Sequence, residues 1–280
     1  MNDSNAVPTG FSGLDQLLEG GLPRGVLTIL TSPFTAEGKT SLATTILHHA
    51  SRLEEIQSLL FSLAGSYQTV LTRLFALETG LDTREINDGQ MTGKDLAHLN
   101  AYDQNTKRQK LWIVDEVVKS VDAIGQHMTT VSGSTGLDLM QAWDAAAYAR
   151  ILRDLHLLAR DSHAAILVIA HTIKTYLPQE LMLSAARTVL VLNRDEQYVI
   201  AHLEVRQRGR RTRAVPLDFY PPTTRFFEDA APGCNSEIRV GDHDPGRIGS
   251  RSLVPTVFWL PHALSYGVCD PSNAWLPLMR

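Results

Sequence analysis

Long hydrophobic runs are missing from this chain. No stretch of its 280 residues approaches the roughly 20 consecutive apolar positions that carry a helix across a bilayer, so no membrane association is expected. The opening residues, MNDSNAVPTG, lack both the basic start and the apolar stretch of a secretory signal, and a cytoplasmic location is the expectation. Cysteine is scarce. Cys234 and Cys269 are too few for a disulfide framework or a zinc site, and they read as two reduced thiols. An excess of positive charge is also absent. The formal net charge is −4, so no global field draws nucleic acid to the surface. Any DNA contact must come from local loops or from a pore built by oligomerisation. What the chain does have is 44% apolar residues, enough to bury the core of one large α/β domain, with or without an appendage.

The organisation is an alternation of strands and helices. Residues 26–32 (VLTILTS) form a short β-branched apolar run between Gly25 and Pro33 and read as a buried strand. Residues 39–53 repeat apolar positions at helical spacing through Leu42, Ile46, Leu47 and Ala50. Further strands are expected at 58–63, 111–115, 165–170 and 188–193, and helices at 67–79, 118–130 and 144–160, the last with Asp144 as N-cap. Two more strands, 198–205 and 214–219, flank a basic turn and make a hairpin. This order predicts an α/β fold with a mostly parallel sheet flanked by helices and a C-terminal antiparallel hairpin. From about residue 229 the composition shifts to Gly, Pro, Ser and Arg without periodicity. Residues 1–228 are read as the domain, and 229–280 as a tail that is poorly ordered or serves to dock.

The chemistry concentrates after the first long strand. Pro33-Phe34-Thr35-Ala36-Glu37-Gly38-Lys39-Thr40 carries the right-hand half of the phosphate-loop pattern G-x-x-x-x-G-K-[ST], with Pro33 at the first glycine. A nucleotide such as ATP, with Mg²⁺, is the ligand this pattern takes. Ala36, Glu37, Gly38 and Ser41 border the phosphates. Lys39 reaches the β- and γ-phosphates, and the Thr40 hydroxyl holds Mg²⁺. The helix that follows points its positive end at the anion. Glu37 has to turn outward, because a carboxylate beside a triphosphate costs affinity.

With these residues in view, the chain resembles the C-terminal ATPase domain of the DnaB-type replicative helicases over about residues 8–228. The opening stretch Pro8-Thr9-Gly10-Phe11-Ser12-Gly13-Leu14-Asp15, with Gly20-Gly21-Leu22 and Gly25, is shared with RadA- and KaiC-type ATPases. Leu60-Phe61-Ser62-Leu63, Ala76-Leu77-Glu78-Thr79-Gly80 and Asn87-Asp88-Gly89-Gln90-Met91 are similar to the helicase family in particular. The resemblance implies a RecA-like P-loop fold, a hexameric ring of identical chains, single-stranded DNA as substrate and replication proteins as partners. It also implies an ATPase without the family's N-terminal primase-interacting domain, since its opening motif begins at Pro8.

Arg206-Gln207-Arg208-Gly209 stands where that family carries a basic pair reaching the neighbouring subunit's nucleotide. Arg208 is then the arginine finger and Arg206 its companion. The alternative for this cluster, which includes Arg210, Arg211 and Arg213, is a solvated hairpin tip. DNA-gripping loops are expected at 132–143 and 173–187, with Lys174 as a phosphate contact.

The chain departs from the family in three places. The family's water-activating glutamate position is Ala64, and alanine cannot orient water or take a proton. The magnesium aspartate is either Asp115, at the end of Leu111-Trp112-Ile113-Val114, or Asp138, with Asp144 a weaker third. If it is Asp115, Glu116 supplies the base. His171, following strand 165–170, is either a γ-phosphate sensor or an ordinary strand-end histidine. Three readings follow. The first is an ATP-driven ring motor on single-stranded DNA. The second is a nucleotide-binding helicase paralogue with weak turnover. The third is a RadA- or KaiC-like recombination or regulatory ATPase.

Overall fold

The computed structural model describes residues 5–33, 38–62, 67–97, 111–114, 120–130, 133–139, 145–170, 179–194, 200–228, 266–269 and 275–277. The strands are β1 (Ala6–Val7), β2 (Leu22–Pro23), β3 (Val26–Thr31), β4 (Gln57–Ser62), β5 (Leu111–Val114), β6 (Gly133–Leu139), β7 (Ala165–Ala170), β8 (Thr188–Arg194), β9 (Ile200–Gln207), β10 (Arg213–Tyr220), β11 (Arg225–Glu228), β12 (Tyr266–Cys269) and β13 (Trp275–Pro277). The helices are α1 (Ser12–Leu17), α2 (Lys39–Arg52), α3 (Tyr67–Thr79), α4 (Thr83–Asn87), α5 (Val121–Thr130), α6 (Ala145–Ser162) and α7 (Gln179–Ala185).

Eleven strands form one sheet in the order β11-β10-β9-β8-β3-β7-β6-β4-β5-β12-β13. The run from β8 through β12 is parallel. β9, β10, β11 and β13 each run antiparallel to a neighbour, so the sheet is mixed.

The apolar pattern explains why the centre is covered on both faces. In β3, Leu27 and Ile29 pack with α5, α6 and α7, while Leu30 packs with α1 and α2. In β7, Ile166 and Val168 join the first cluster, and Leu167 and Ile169 the second. Strands buried on two faces read as continuous apolar runs, which is why AILVIA was legible as a strand. A third cluster, with Leu47, Leu60, Leu74 and Ile113, seats α3 against α2 and the outer strands. β9 differs. Ile200 and His202 are exposed and alternate with buried Ala201 and Leu203, the pattern of a sheet covered on one side only.

Two expected DNA-gripping loops are corrected here. Residues 133–139 are not loop but β6, hydrogen-bonded between β4 and β7 in the middle of the sheet. Within 173–187, Gln179–Ala185 is the helix α7; Lys174 lies outside the described residues. Among the described residues, no helix is long and apolar enough to cross a membrane.

Candidate nucleotide site

Parallel strands β3, β7, β6 and β4 all end at the same edge of the sheet, where open α/β sheets bind ligands. At this edge β3 gives way to Ser32, exposed Pro33 and then the turn at Gly38. Gly38 is the N-cap of α2 and sits at φ 90°, a left-handed conformation that suits glycine. Its carbonyl accepts the Leu42 N–H at 2.9 Å, so the helix winds directly from the turn. Gly38 has no side chain with which to cap the start of α2. The partial positive charge of the first turn therefore faces the loop.

Lys39 is 2% exposed, and its Nζ donates to Ser32 Oγ. The lysine thus bends back across the mouth of β3 instead of extending into solvent. An ammonium held at this turn is placed to meet a phosphate. Thr40 follows on the first turn, where its carbonyl accepts the Thr44 hydroxyl at 2.7 Å. Ser41 is buried, with its carbonyl bonded to the Thr45 hydroxyl at 2.9 Å. Gly38, Lys39, Thr40 and Ser41 thus lie together at the start of α2. Ala36 and Glu37 lie outside the described residues.

Register fixes the level of Asp138 in the sheet. Leu30 of β3 is level with Ile169 of β7, which is level with Asp138 of β6, which is level with Ser62 of β4. β6 is two strands from β3, and β5 is four. At about 4.8 Å per strand, these separations are about 10 and 19 Å. Asp138 is the residue before the end of β6, at the ligand edge. Asp115 would follow Val114 at the end of β5; it and Glu116 lie outside the described residues, as do Ala64, Asp144 and His171. β7, which leads to His171, is the direct neighbour of β3, and its last carbonyl accepts the Thr31 hydroxyl at 3.4 Å. Among the described residues, no group of three or more His, Cys, Asp or Glu could hold a metal ion. Mg²⁺ bound with a nucleotide needs only one or two protein ligands, because phosphate and water oxygens complete its shell.

The arginine hairpin lies elsewhere. Arg206 is level with Val189, and Val189 with Ile29, so β9 ends toward the start of β3. Arg208, just past β9, is near the level of Leu27. Ser32 is five residue steps beyond Leu27, or about 17 Å along the strand. That exceeds the span of an arginine side chain, so Arg208 stands at the opposite edge from its own phosphate loop.

Charges within the cluster are unequal. Arg206 is tied to Glu204 Oε2 through Nε at 3.0 Å and Nη2 at 2.6 Å. Arg210 Nη1 donates to Glu19 at 2.7 Å, and Arg213 to the Leu17 carbonyl at 3.4 Å. The Arg210 hydrogen bond and charge hold the Glu19 carboxyl below its ordinary pKa. Arg208 and Arg211 are exposed and have no such partner among the described residues.

The residues the sequence reading missed lie on β10 and β11. The Phe226 and Phe219 rings stand 4.7 Å apart, and the Arg194 guanidinium lies 4.4 Å from the Phe219 ring centre. A Cβ on Gly38 would come 3.0 Å from Phe226 Cζ. Nearby, Glu228 accepts from Ser12 Oγ at 2.6 Å and from the Gly13 N–H. The only sequence signal was the aromatic pair Phe226-Phe227 after Pro221-Pro222.

The opening motif is tied to the helices α1 and α2. The Thr9 N–H and hydroxyl both donate to Asp15 Oδ1, at 2.9 and 2.7 Å. Gly10 passes so close to His49 that a Cβ would come 2.6 Å from its ring.

The family model of the DnaB-like helicase C terminal domain matches residues 6–176, which include the phosphate loop and β6. The chain belongs to this family. The DnaB-like match ends before the arginine hairpin. Solved structures extend the likeness of fold. A solved ATPase domain superposes with a TM-score of 0.69 at 18% identity, over 81% of this chain and 93% of that one. A structure of a DnaB-like replicative helicase and its interactions with primase gives 0.67 at 19% identity, over 80% of this chain. The match covers 62% of that longer chain. No curated protein matches the sequence.

Proposed function

We propose that the protein is an ATP-driven ring motor acting on single-stranded DNA in replication. It uses ATP with Mg²⁺ and assembles from identical chains, as a hexamer. The observation that carries this reading is the separation of Lys39 and Arg208 at opposite edges of one sheet. An arginine that cannot reach its own nucleotide, and that no described residue neutralises, suits a site completed by the next subunit.

Lys39, the first-turn amides of α2 and the Thr40 hydroxyl would hold the triphosphate and its ion. Mg²⁺ supplies charge neutralisation between the phosphates when bound. Asp138 is the aspartate the strand order favours for orienting the ion, because β6 is two strands from β3 and β5, which precedes Asp115, is four. Arg208 from a neighbour would stabilise charge developing on the γ-phosphate, an effect commonly worth about 10³-fold or more in rate. Arg206, paired with Glu204, would act less directly. Replication proteins are the expected partners, with primase first to test because a solved relative is described with it.

The test is steady-state ATP hydrolysis with and without single-stranded DNA, with Lys39→Ala as the blank. DNA-stimulated turnover above the blank is expected. Arg208→Ala alone should be as inactive as Lys39→Ala, and mixing the two should restore part of the activity, because some interfaces then pair an intact Lys39 with an intact Arg208. No recovery on mixing, or a monomer under all conditions, would refute the ring.

A second reading rests on Ala64, which occupies the family's water-activating position. In it the chain binds ATP within a helicase ring but turns it over poorly. Binding without hydrolysis above the blank would select it.

A further inference from the structure

We propose that Phe226, on β11, is a positioning residue of the phosphate loop, its ring holding Gly38 in the left-handed turn from which α2 starts. The inference rests on the nucleotide reading above and concerns a strand beyond the family match, which ends at residue 176.

Three observations carry it. First, Phe226 is 2% exposed, and its Cζ and Cε2 would stand 3.0 and 3.2 Å from a Cβ on Gly38. The ring occupies the space that any other residue at position 38 would need. Second, the ring is itself backed. Phe219 lies 4.7 Å from it, with its own Cε2 3.8 Å from the same Cβ position, and Arg194 covers Phe219 from the end of β8. A tilted aromatic pair under a guanidinium is a stiff support. Third, β11 is pinned at its far end. Glu228, two residues on and so on the same face of the strand, bonds Ser12 and the Gly13 N–H at the start of α1. One short strand therefore touches the N-terminal ends of α1 and α2. Its height against α1 sets where the Phe226 ring stands beneath the loop.

The consequence is for affinity. Lys39 and the first amides of α2 bind phosphate only if the turn before them keeps its course. Hydrogen bonds to a charged group contribute about 1.5–3 kcal/mol each, about tenfold or more in Kd, and they weaken steeply when their geometry is disturbed. Leucine at position 226 keeps the inner carbons of the ring and lacks the two atoms that face Gly38. Methionine reaches as far, with a flexible end.

The experiment is titration of the full chain with a fluorescent ATP analogue and Mg²⁺, beside urea unfolding of each variant. Phe226→Leu should raise Kd about tenfold, the weakening of about one charge-assisted hydrogen bond, and Phe226→Met should recover most of that loss. Val215→Ala truncates the same core cluster on β10; it should lose stability yet bind within about twofold of wild type. Equal Kd for Phe226→Leu and Val215→Ala would overturn the proposal. If Phe226→Leu does not fold, Gly38→Ala decides. Its loss of affinity should be smaller in a Phe226→Met background, where the side-chain end can move aside, and an equal loss in both backgrounds would overturn the idea. Wild type binding no better than Lys39→Ala would instead refute the nucleotide reading, and this proposal with it.

Discussion

Replacing Glu228 by alanine removes a cap that the local sequence of α1 does not supply. The N-cap of α1 is Phe11, which makes no side-chain capping bond. The carboxylate of Glu228, 215 residues away in sequence, takes the Gly13 N–H instead, and it also takes the Ser12 hydroxyl. A capping bond is worth about 1 kcal/mol, and the exposed hydroxyl bond adds about 0.5. Glu228→Ala should therefore cost about 1.5 kcal/mol, a fall in Tm of about 3–6 °C for a domain of this size.

Gly13 makes the test sharper, because a Cβ there would stand on Glu228 Oε1. Gly13→Ala in wild type pushes the carboxylate away and forfeits the same bonds, while alanine favours the helix by about 1 kcal/mol. The balance is a net loss of about 0.5 kcal/mol. In a Glu228→Ala background nothing remains to displace, so Gly13→Ala should stabilise by about 1 kcal/mol. The sign of one substitution reverses with the partner. Urea unfolding of the four proteins, with m unchanged, measures the coupling. The same sign for Gly13→Ala in both backgrounds would show that Glu228 is not the cap.

Two further predictions concern the metal and pH. Asp138→Asn should reduce Mg²⁺-dependent ATP hydrolysis about 10²-fold or more, and Asp115→Asn should leave it within about threefold; the reverse ranking in a steady-state assay would refute the argument from strand order. His49 has its pKa lowered from 6.5, first by burial, with His48 adding to the shift and Glu54 and Asp15 opposing it. A group with a depressed folded pKa contributes stability that is intact above 6.5 and is lost as pH falls through the lowered value. Asp15 acts the other way. Burial raises its pKa above 3.8 against the Thr9 bonds, so its contribution is present below 3.8 and is lost as pH rises through the raised value. Acidification from pH 7 to 5 should therefore lower Tm through His49, and His49→Gln should flatten the fall. An equal fall in the variant would show that the loss comes from other groups.

What could be read in advance divides along physical lines. The helix expected at 67–79 is Tyr67–Thr79, and the strand expected at 165–170 is Ala165–Ala170. Both are made by strong local patterns, a helical stripe and a doubly buried apolar run. The phosphate turn was legible because Gly38-Lys39-Thr40 is a local pattern lying between two such elements.

β6 was not legible. Gly133-Ser-Thr-Gly-Leu-Asp-Leu139 has small and polar residues where a central strand usually has branched apolar ones, and it reads as a loop. Its status comes from hydrogen bonds to β4 and β7, strands far from it in sequence. The strand order that favours Asp138 was hidden with it, because Ile113-Val114-Asp115-Glu116 has the cleaner local pattern and only the sheet order puts β5 four strands from β3. β11 failed for another reason. Four residues with one fully buried side chain leave almost no periodic signal, and their role lies in what they touch, Gly38 and Gly13. Those glycines were visible in the sequence as flexible points, yet each also has a neighbour that fills the place of its missing side chain. A glycine in a motif thus marks a close approach whose partner must be sought elsewhere in the chain, and here both partners sit on one strand of four residues.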